Sequence, residues 1–259
     1  MQNLSKPSIQ LRVIGALVLR EMATRFGRSF GGYAWAILEP AGFVAILSLA
    51  FSQIAHRPPL GESFAFYFAT GYLAFHFYSD ISGTTSQAVR VNLPLMSFPR
   101  VTPLDAIAAR FLLQLITVLT VFIIMISAIA VVEHPQISLD LGMIFLSILL
   151  ASTLGLAVGV VNCVLFAALP AWERLFTIIN RPMFIISGVF FNMESLPRAA
   201  QDILWFNPLI HIVALMRKGF YSTYGGGFIS VSFVLSLVLG LGFLGLLLLR
   251  ALKSKVIEP

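Results

Sequence analysis

The stretch RFGRSFGGYAWAILEP, residues 25–40, turns a basic segment into an apolar one within a few positions. Its two arginines must stay near water or anionic headgroups, whereas the chain after Trp35 runs apolar to about Ile54, close to the roughly 20 residues that cross a hydrocarbon core. Its glycines allow a sharp bend, and Tyr33 and Trp35 are amphipathic rings of the kind found at headgroup level. The stretch predicts an interfacial helix, a glycine elbow and the entry into a membrane span.

A carboxylate follows inside this first span. The simpler interpretation of the stretch is an ordinary positively charged anchor on the cytoplasmic side of a span. Glu39 followed by Pro40 favours a more specific role, because a charge and a helix-kinking proline are both costly within a span.

The composition requires lipid as the solvent of this chain. Of its 259 residues 58% are hydrophobic and only 11% are charged, whereas soluble domains carry about 25% charged residues. The net charge of +6 is not gathered into a block, so no nucleic-acid partner is expected. Without a phosphate-binding loop, the chain is not expected to hydrolyse nucleotides. Its histidines and single cysteine share no metal-ligand spacing, so neither a metal nor another cofactor is expected in this chain.

The apolar segments predict an all-α membrane protein with six transmembrane helices. We predict the spans at about residues 34–55, 64–84, 108–132, 140–168, 174–191 and 229–249. The fourth span is rich in small residues and should therefore pack centrally. Residues 192–228 are broken by proline, and neither half is long enough to span, so they predict a re-entrant helical hairpin. A tight turn is expected over Pro170–Arg174, and Asp105 and Asp140 are expected to cap helices.

Residues 8–26 predict an amphipathic helix lying in the membrane plane, because their apolar side chains recur at helical spacing. The apolar face consists of Leu11, Ile14, Val18, Met22 and Phe26. Packing of the same helix on a partner is compatible with this prediction.

The distribution of Lys and Arg predicts the orientation. With the N-terminus inside, only Arg57, Arg198, Arg217 and Lys218 of the 17 Lys and Arg residues fall on the outer side. Both termini are therefore expected in the cytoplasm and the hairpin on the outer side. We expect one transmembrane permease domain over residues 1–259, with a cytoplasmic interfacial helix at 1–30 and a six-span bundle at 34–250.

Two motifs carry a resemblance to a known family. Residues 28–40 contain Arg-x-Phe-Gly followed by Gly-Tyr-x-Trp-Ala-Ile-Leu-Glu-Pro, and residues 204–213 read LWFNPLIHIV. In this order, and with the same pattern of spans, they resemble type-2 ABC exporter permeases, most closely the capsular polysaccharide export permeases. The resemblance covers nearly the whole chain and is more specific for the fold than for the substrate.

The resemblance implies a transmembrane subunit of an ATP-driven exporter in the bacterial inner membrane. Its partners would be a second copy of itself, two ABC ATPase subunits that bind ATP and Mg²⁺, a lipid-linked capsular polysaccharide, and periplasmic and outer-membrane export proteins. A homodimer also follows from size, because six spans are a thin wall for a polymer channel. Alternatives are export of another glycan of O-antigen or teichoic-acid type, of a lipid or of a drug. Proteins of other classes would be an integral membrane enzyme or a passive channel.

The aromatic second span and the first-span entry are candidates for a substrate path. Sugar rings pack their C–H faces on aromatic faces, and their hydroxyls can bond to tyrosine tips. The predicted path residues are Tyr33, Trp35, Tyr67, Tyr72, Phe75, Tyr78 and Arg181. Packing between helices is the other interpretation of the second-span aromatics, and the resemblance supplies most of the argument for carbohydrate.

Glu39 and Arg181 are the two charges predicted to lie within the membrane. Because lone charges in a span are costly, they are expected either to pair with each other or to face a wet cavity. In a functional role, Arg181 would contact the phosphate or acidic sugar of a substrate.

Two predicted cytoplasmic connections, residues 85–105 and 170–174, could dock on the ATPase subunits that the resemblance implies. The expected apolar contacts are Met96, Phe98 and Trp172, and the expected polar rim is Arg100, Glu173 and Arg174. The alternative for the longer segment is a plain connector.

Overall fold

The computed structural model describes residues 6–26, 32–97, 101–135 and 138–251. All regular secondary structure within these ranges is helical, which confirms the predicted all-α class. The α-helices in these ranges are α1 Lys6–Phe26, α2 Gly32–Ile54, α3 Phe64–Ser86, α4 Ala88–Asn92, α5 Pro103–Glu133, α6 Leu141–Ala168, α7 Pro170–Ile185, α8 Arg198–Leu204, α9 Pro208–Phe220 and α10 Val231–Ala251. Short 3-10 helices, Leu93–Ser97 and Met193–Ser195, follow α4 and precede α8.

Helices α3 and α6 pack against each other at the centre of the fold. A Cβ on Gly159 of α6 would lie 2.5 Å from the Cβ of Thr85, and one on Gly155 would lie 2.8 Å from the carbonyl oxygen of Tyr78. Helix α6 also packs against α9 and α10. The predicted central position of this helix is confirmed, because its small residues let the neighbouring backbones approach closely.

Four helical segments in the described ranges are long and apolar enough to cross a membrane: Ala34–Ile54 of α2, and α5, α6 and α10. Helices α8 and α9 meet at 105° and could form either a broken span or a re-entrant loop. The second and fifth predicted spans correspond to α3 and α7, which fall outside this set, and α7 has only 16 residues. The six-span count and the outer hairpin therefore stay predictions.

Helix α7 starts and ends earlier than the sequence suggested. It begins at Pro170, so the expected tight turn over Pro170–Arg174 is wrong. Proline suits the first helical position because the amide hydrogen that it lacks would have no partner there. The helix ends at Ile185 rather than near residue 191, three residues after Pro182.

The predicted helix caps are confirmed for α6 and revised for α5. Asp140 accepts a hydrogen bond from the amide of Met143 and caps α6 as predicted. In α5 the cap is Thr102, and Asp105 occupies the third helical position, where its side chain bonds back to the Thr102 amide. This reciprocal arrangement satisfies two amide donors at the start of the helix.

Helix α1 packs along α5 through a face that includes charge. Leu17 and Glu21 are buried, and the carboxylate of Glu21 accepts a hydrogen bond from the guanidinium of Arg110 in α5. Arg20 donates from Nη1 to Oδ1 of Asn92 in α4 at 2.9 Å. These contacts join the N-terminal helix to both α4 and α5.

The apolar face predicted for α1 is therefore divided between protein and exterior. Ile14 and Val18 are half-buried, and the side chain of Phe26 lies outside the described residues. The large apolar side chains of α1 that stay exposed are Leu11, Leu19 and Met22. Glu21, a charged position outside the predicted apolar face, lies on the side of α1 that packs against α5.

Candidate functional site: the groove beside α3

An open groove of about 500 Å³ lies between α3 and α7, and we call it the α3 groove. Its α3 side consists of Phe75, Ser79, Gly83, Ser86 and Gln87. Its α7 side consists of Glu173, Phe176, Thr177, Asn180, Arg181 and Phe184. Because each set recurs at three- and four-residue spacing, it forms one face of its helix. Phe166 of α6 completes the lining, so the groove is a mixed polar and aromatic surface.

Aromatic rings close one end of the α3 groove. The centroids of Phe43 in α2 and Tyr72 in α3 are 4.7 Å apart. Phe184 of α7 meets Phe43 edge-on at 5.4 Å and lies 5.0 Å from Phe75. These tilted and edge-on contacts are favoured between aromatic rings. Three helices therefore meet at this end through aromatic contacts.

A polar cluster follows these rings on the same helix. His76 stacks on Tyr72 with centroids 5.4 Å apart, and its Nδ1 lies 3.3 Å from Oδ1 of Asp80. Gln114 of α5 donates from Nε2 to the other oxygen, Oδ2 of Asp80, at 3.0 Å. The Asp80 side chain nevertheless remains 34% exposed. Such a polar cluster inside a predicted span is costly and indicates a structural or functional role.

Glu39 and Arg181 do not pair with each other in this structure. Ion pairs between described side chains join His76 to Asp80, Arg90 to Glu173 and Arg110 to Glu21. Glu39 and Arg181 are both exposed, and Arg181 lines the α3 groove. Arg181 therefore faces an open groove and forms no ion pair with Glu39 in this structure.

The predicted path residues separate into two groups. Tyr72 and Phe75 belong to the aromatic end of the α3 groove, Arg181 lines it, and Trp35 is exposed on α2. The side chain of Tyr33 lies outside the described residues.

Tyr67 and Tyr78, which were also predicted for a substrate path, are not among the residues that line the α3 groove. Both are buried. Tyr67 lies beneath the guanidinium of Arg217, whose Cζ is 4.1 Å from the ring centroid. The backbone of Tyr78 contacts α6 at Gly155. Aromatic residues on one helix thus point to different sides, and only part of the set can line a path.

Arg217 of α9 is a buried arginine whose role the sequence did not reveal. Its Nη1 donates to the carbonyl oxygens of Gly188 and Phe191 at 2.7 and 3.0 Å, and its Nη2 donates to that of Val189 at 2.8 Å. It therefore ties α9 to the segment that follows α7. From the sequence alone, Arg217 is a basic residue near the C-terminus of a helix, and basic residues are common at that position.

The two predicted ATPase-docking segments contact each other. Glu173, in the first turn of α7, accepts hydrogen bonds from Nε2 of Gln87 at 2.9 Å and from Nη1 of Arg90 at 3.1 Å. Trp172 donates from Nε1 to Oδ1 of Asn162 in α6 at 3.0 Å. We call the contact of Gln87 and Arg90 with Glu173 the α4–α7 latch.

The remaining docking candidates are only partly described. Met96 is half-buried against an apolar cluster that includes Val89 and Ile107, so it packs inwards rather than forming an exposed contact. Arg174 is exposed. Phe98 and Arg100 lie outside the described residues.

The pattern of the ABC-2 type transporter family matches residues 12–221, a range that contains the whole α3 groove. The chain belongs to the ABC-2 type transporter family. The match extends from α1 through α9 and contains both sequence motifs. As a member of this family of permeases, the chain is a membrane transport subunit rather than an enzyme.

Curated relatives match the chain over almost its full length. It is 30% identical to the polysialic acid transport protein KpsM of Escherichia coli, over 96% of each chain. It is 26% identical to the capsule polysaccharide export inner-membrane protein CtrC of Neisseria meningitidis serogroup A, over 97% of this chain and 94% of CtrC. The same identity relates it to BexB of Haemophilus influenzae, also named as a capsule polysaccharide export inner-membrane protein, over 97% of this chain and 95% of BexB.

Sequence analysis missed the cluster of His76, Asp80 and Gln114. A His and an Asp four residues apart on a predicted helix share a face, and this spacing could have indicated their contact. The contribution of Gln114 depends on how α3 and α5 pack, which the spacing within one helix does not contain. Within the described residues, no group of three or more His, Cys, Asp or Glu side chains could hold a metal ion.

Proposed function

We propose that the chain is the transmembrane subunit of an ABC exporter that moves a lipid-linked capsular polysaccharide across the bacterial inner membrane. The observation that carries this proposal is the α3 groove, which combines aromatic rings with hydroxyl, amide and charged groups. It lies in a permease whose relatives KpsM, CtrC and BexB are named for the transport of polysialic acid or capsule polysaccharide. A sugar polymer offers C–H faces to such rings and hydroxyls to such polar groups.

The openness of the α3 groove supports a second copy as partner. Ser79, Asn180 and Arg181 line a surface that a single chain leaves open, and polar groups facing hydrocarbon are costly. A second copy of the chain placed against α2 and α7 would cover this surface and enclose a polar path. This arrangement requires α3 and α7 to serve as spans and both termini to lie in the cytoplasm.

Arg181 is the residue we assign to the anionic part of the substrate. Its guanidinium lies in the groove beside Asn180, whose Oδ1 is buried without a hydrogen-bond partner in the described part of the chain. A guanidinium can bind a phosphate or a carboxylate through two parallel hydrogen bonds. The phosphate of the lipid link or an acidic sugar would therefore bind here.

The α4–α7 latch supports coupling to two ATPase subunits. In the proposed orientation it faces the cytoplasm, and it joins the connection after α3 to the first turn of α7. A movement of the docking connection would therefore be transmitted to one wall of the groove. ATP and Mg²⁺ bind to the ATPase subunits, and periplasmic and outer-membrane export proteins would receive the polymer.

Deletion of the gene in its own bacterium tests the proposal. We expect the capsular polymer to disappear from the cell surface and to accumulate in the cytoplasm, and a plasmid copy of the gene should restore export. Chemical analysis of the accumulated material distinguishes a capsular polymer from an O-antigen, a teichoic-acid-type polymer or a lipid. Continued surface display after deletion would contradict the proposal, and export with an inactive ATPase partner would indicate a passive channel.

A further inference from the structure

We propose that Tyr72, His76 and Asp80 form a sugar-binding subsite beside the α3 groove, on the neighbouring face of α3 and in contact with the groove residue Phe184 through Tyr72. In this subsite the carboxylate of Asp80 accepts hydrogen bonds from the hydroxyls of a sugar ring that lies against the aromatic face formed by Tyr72 and His76. The inference rests on the proposed function as a polysaccharide permease and adds a site for neutral parts of the polymer.

The three side chains share one face of α3 because they are four residues apart. Over eight residues they extend about 12 Å along the helix axis at 1.5 Å per residue. The rings of Tyr72 and His76 are nearly parallel, with an interplanar angle of 21°. Phe43 extends this aromatic surface at the Tyr72 end. A continuous series of rings therefore leads directly to a carboxylate.

The Asp80 carboxylate is oriented before any ligand arrives. Gln114, itself buried, donates to one oxygen, and the His76 ring approaches the other. Each carboxylate oxygen can accept more than one hydrogen bond, and one third of the Asp80 side chain is exposed to a ligand. Because the group is already held, binding costs little additional ordering.

A carboxylate at this position favours hydroxyls over anions. Asp80 lies four residues beyond His76, whose ring stacks on Tyr72. An anionic group of the polymer would be repelled by this carboxylate and would bind at Arg181 instead. The groove would thus separate the two parts of an acidic sugar repeat, with hydroxyls at Asp80 and anions at Arg181.

The alternative role of the cluster is to pin α3 to α5. The bond from Gln114 to Asp80 would be sufficient for that purpose, because it joins the two helices directly. The pin requires neither the stacking of His76 on Tyr72 nor the exposure of one third of the Asp80 side chain. A pin predicts a loss of stability in variants of Asp80, whereas the subsite predicts a loss of polymer contact.

Photocrosslinking to the cell's own polymer tests the subsite. The photoreactive amino acid p-benzoylphenylalanine replaces Phe184, an aromatic residue that already lines the groove and contacts Tyr72. The polymer is labelled by growth on a radioactive monosaccharide. Asp80→Asn keeps the size of the side chain and removes its charge. We expect it to lower the cross-linked label per folded protein about tenfold, the loss of one hydrogen bond to a charged group. His76→Gln, which removes the stacked ring, should lower it severalfold.

Asp140→Asn is the matched control, because it removes a carboxylate that only caps α6 and asparagine caps helices equally well. It should leave the cross-linked label unchanged. Unchanged label in Asp80→Asn and His76→Gln, whatever their melting temperatures, would overturn the subsite, as would absent crosslinks in a parent chain that exports normally. The proposed function itself fails separately, if deletion of the gene leaves surface polymer intact.

Discussion

Two parts of α3 present similar residue types in opposite surroundings. Near the start of the helix, Tyr67 is buried beneath Arg217, and that guanidinium donates to three backbone carbonyls. One and a half turns later, Tyr72 lies at the end of an open groove that Arg181 lines. The comparison shows that the role of an arginine near a tyrosine depends on what its guanidinium contacts. An arginine whose donors bind backbone carbonyls holds the fold, and one that faces a groove can bind a ligand.

The largest effect is expected from Arg217, because its replacement by methionine leaves two buried carbonyls and one partly buried carbonyl without their donor. At a cost of about 1–3 kcal/mol for each buried group left unsatisfied, the free energy of unfolding should fall enough to remove most of the folded protein. Arg217→Lys should rescue only part of it, because lysine cannot reproduce the planar donor geometry. Abundance in the membrane and the melting temperature in detergent measure this effect.

Arg198→Met is the control for this prediction, because Arg198 begins α8 and is exposed. It should keep normal abundance. If Arg217→Met accumulated as well as Arg198→Met, the guanidinium would not hold the segment after α7.

The next largest effect is expected at Gly159 of α6, which packs against α3. Gly83, on the open side of α3, is the glycine for comparison. A Cβ on Gly159 of α6 would lie 2.5 Å from that of Thr85, whereas one on Gly83 would have no described atom within 4 Å. Gly159→Ala should therefore destabilise the fold by about 1–3 kcal/mol through overpacking. Gly83→Ala should leave the melting temperature equal to or above that of the parent. Equal melting temperatures for both variants would contradict the close packing of α3 on α6.

Arg181→Gln should lower export with little change in stability, because Arg181 is exposed and pairs with no described carboxylate. Loss of one charge-assisted contact to an anionic group predicts roughly a tenfold decrease in surface polymer at normal protein abundance. Glu39→Gln should not rescue it, and Arg57→Gln, an exposed arginine in the loop after α2, should export normally. Rescue by Glu39→Gln would instead support an ion pair formed in another conformation.

The smallest effect is expected at the α4–α7 latch. The side chains of Arg90 and Glu173 are 71% and 37% exposed, so their ion pair contributes at most about 1 kcal/mol. Arg90→Glu or Glu173→Arg should lower the polymer exported per ATP hydrolysed by up to about fivefold while the protein stays folded. Combining both substitutions restores an ion pair and should recover most of this coupling. Equal defects in the double variant and the single variants would exclude the latch as the coupling contact.

The sequence was sufficient to predict the fold class and the central position of α6. Long apolar segments specify helices in lipid, and small residues in α6 predicted its central position. Phe75 and Arg181, two of the residues predicted for a substrate path, both line the α3 groove, and Tyr72 lies next to it through its contact with Phe184. Their role in transport stays a prediction. These features depend on composition and on spacing within one helix.

Other features depend on contacts between helices, which spacing within one helix does not determine. The side of α1 that packs on α5 includes Glu21, whose partner Arg110 lies 89 positions away. Tyr67 was assigned to the path because nothing in the local sequence shows that Arg217 covers it. Likewise, the hydrogen bond from Gln114 to Asp80 joins two helices, so the spacing within α3 did not predict it. Buried polar contacts between distant positions are therefore what the sequence alone did not reveal.

The central claim is that polymer passes along the groove face of α3, and a plug in that groove tests it most directly. Gly83 faces open space at the groove, so Gly83→Trp should fold normally and fill the path. Gly240→Trp in α10 is the control, because Gly240 is equally open but does not line the groove. Measured as surface polymer per folded permease, Gly83→Trp should abolish export and Gly240→Trp should preserve it. Export by Gly83→Trp at the parent level would contradict the account.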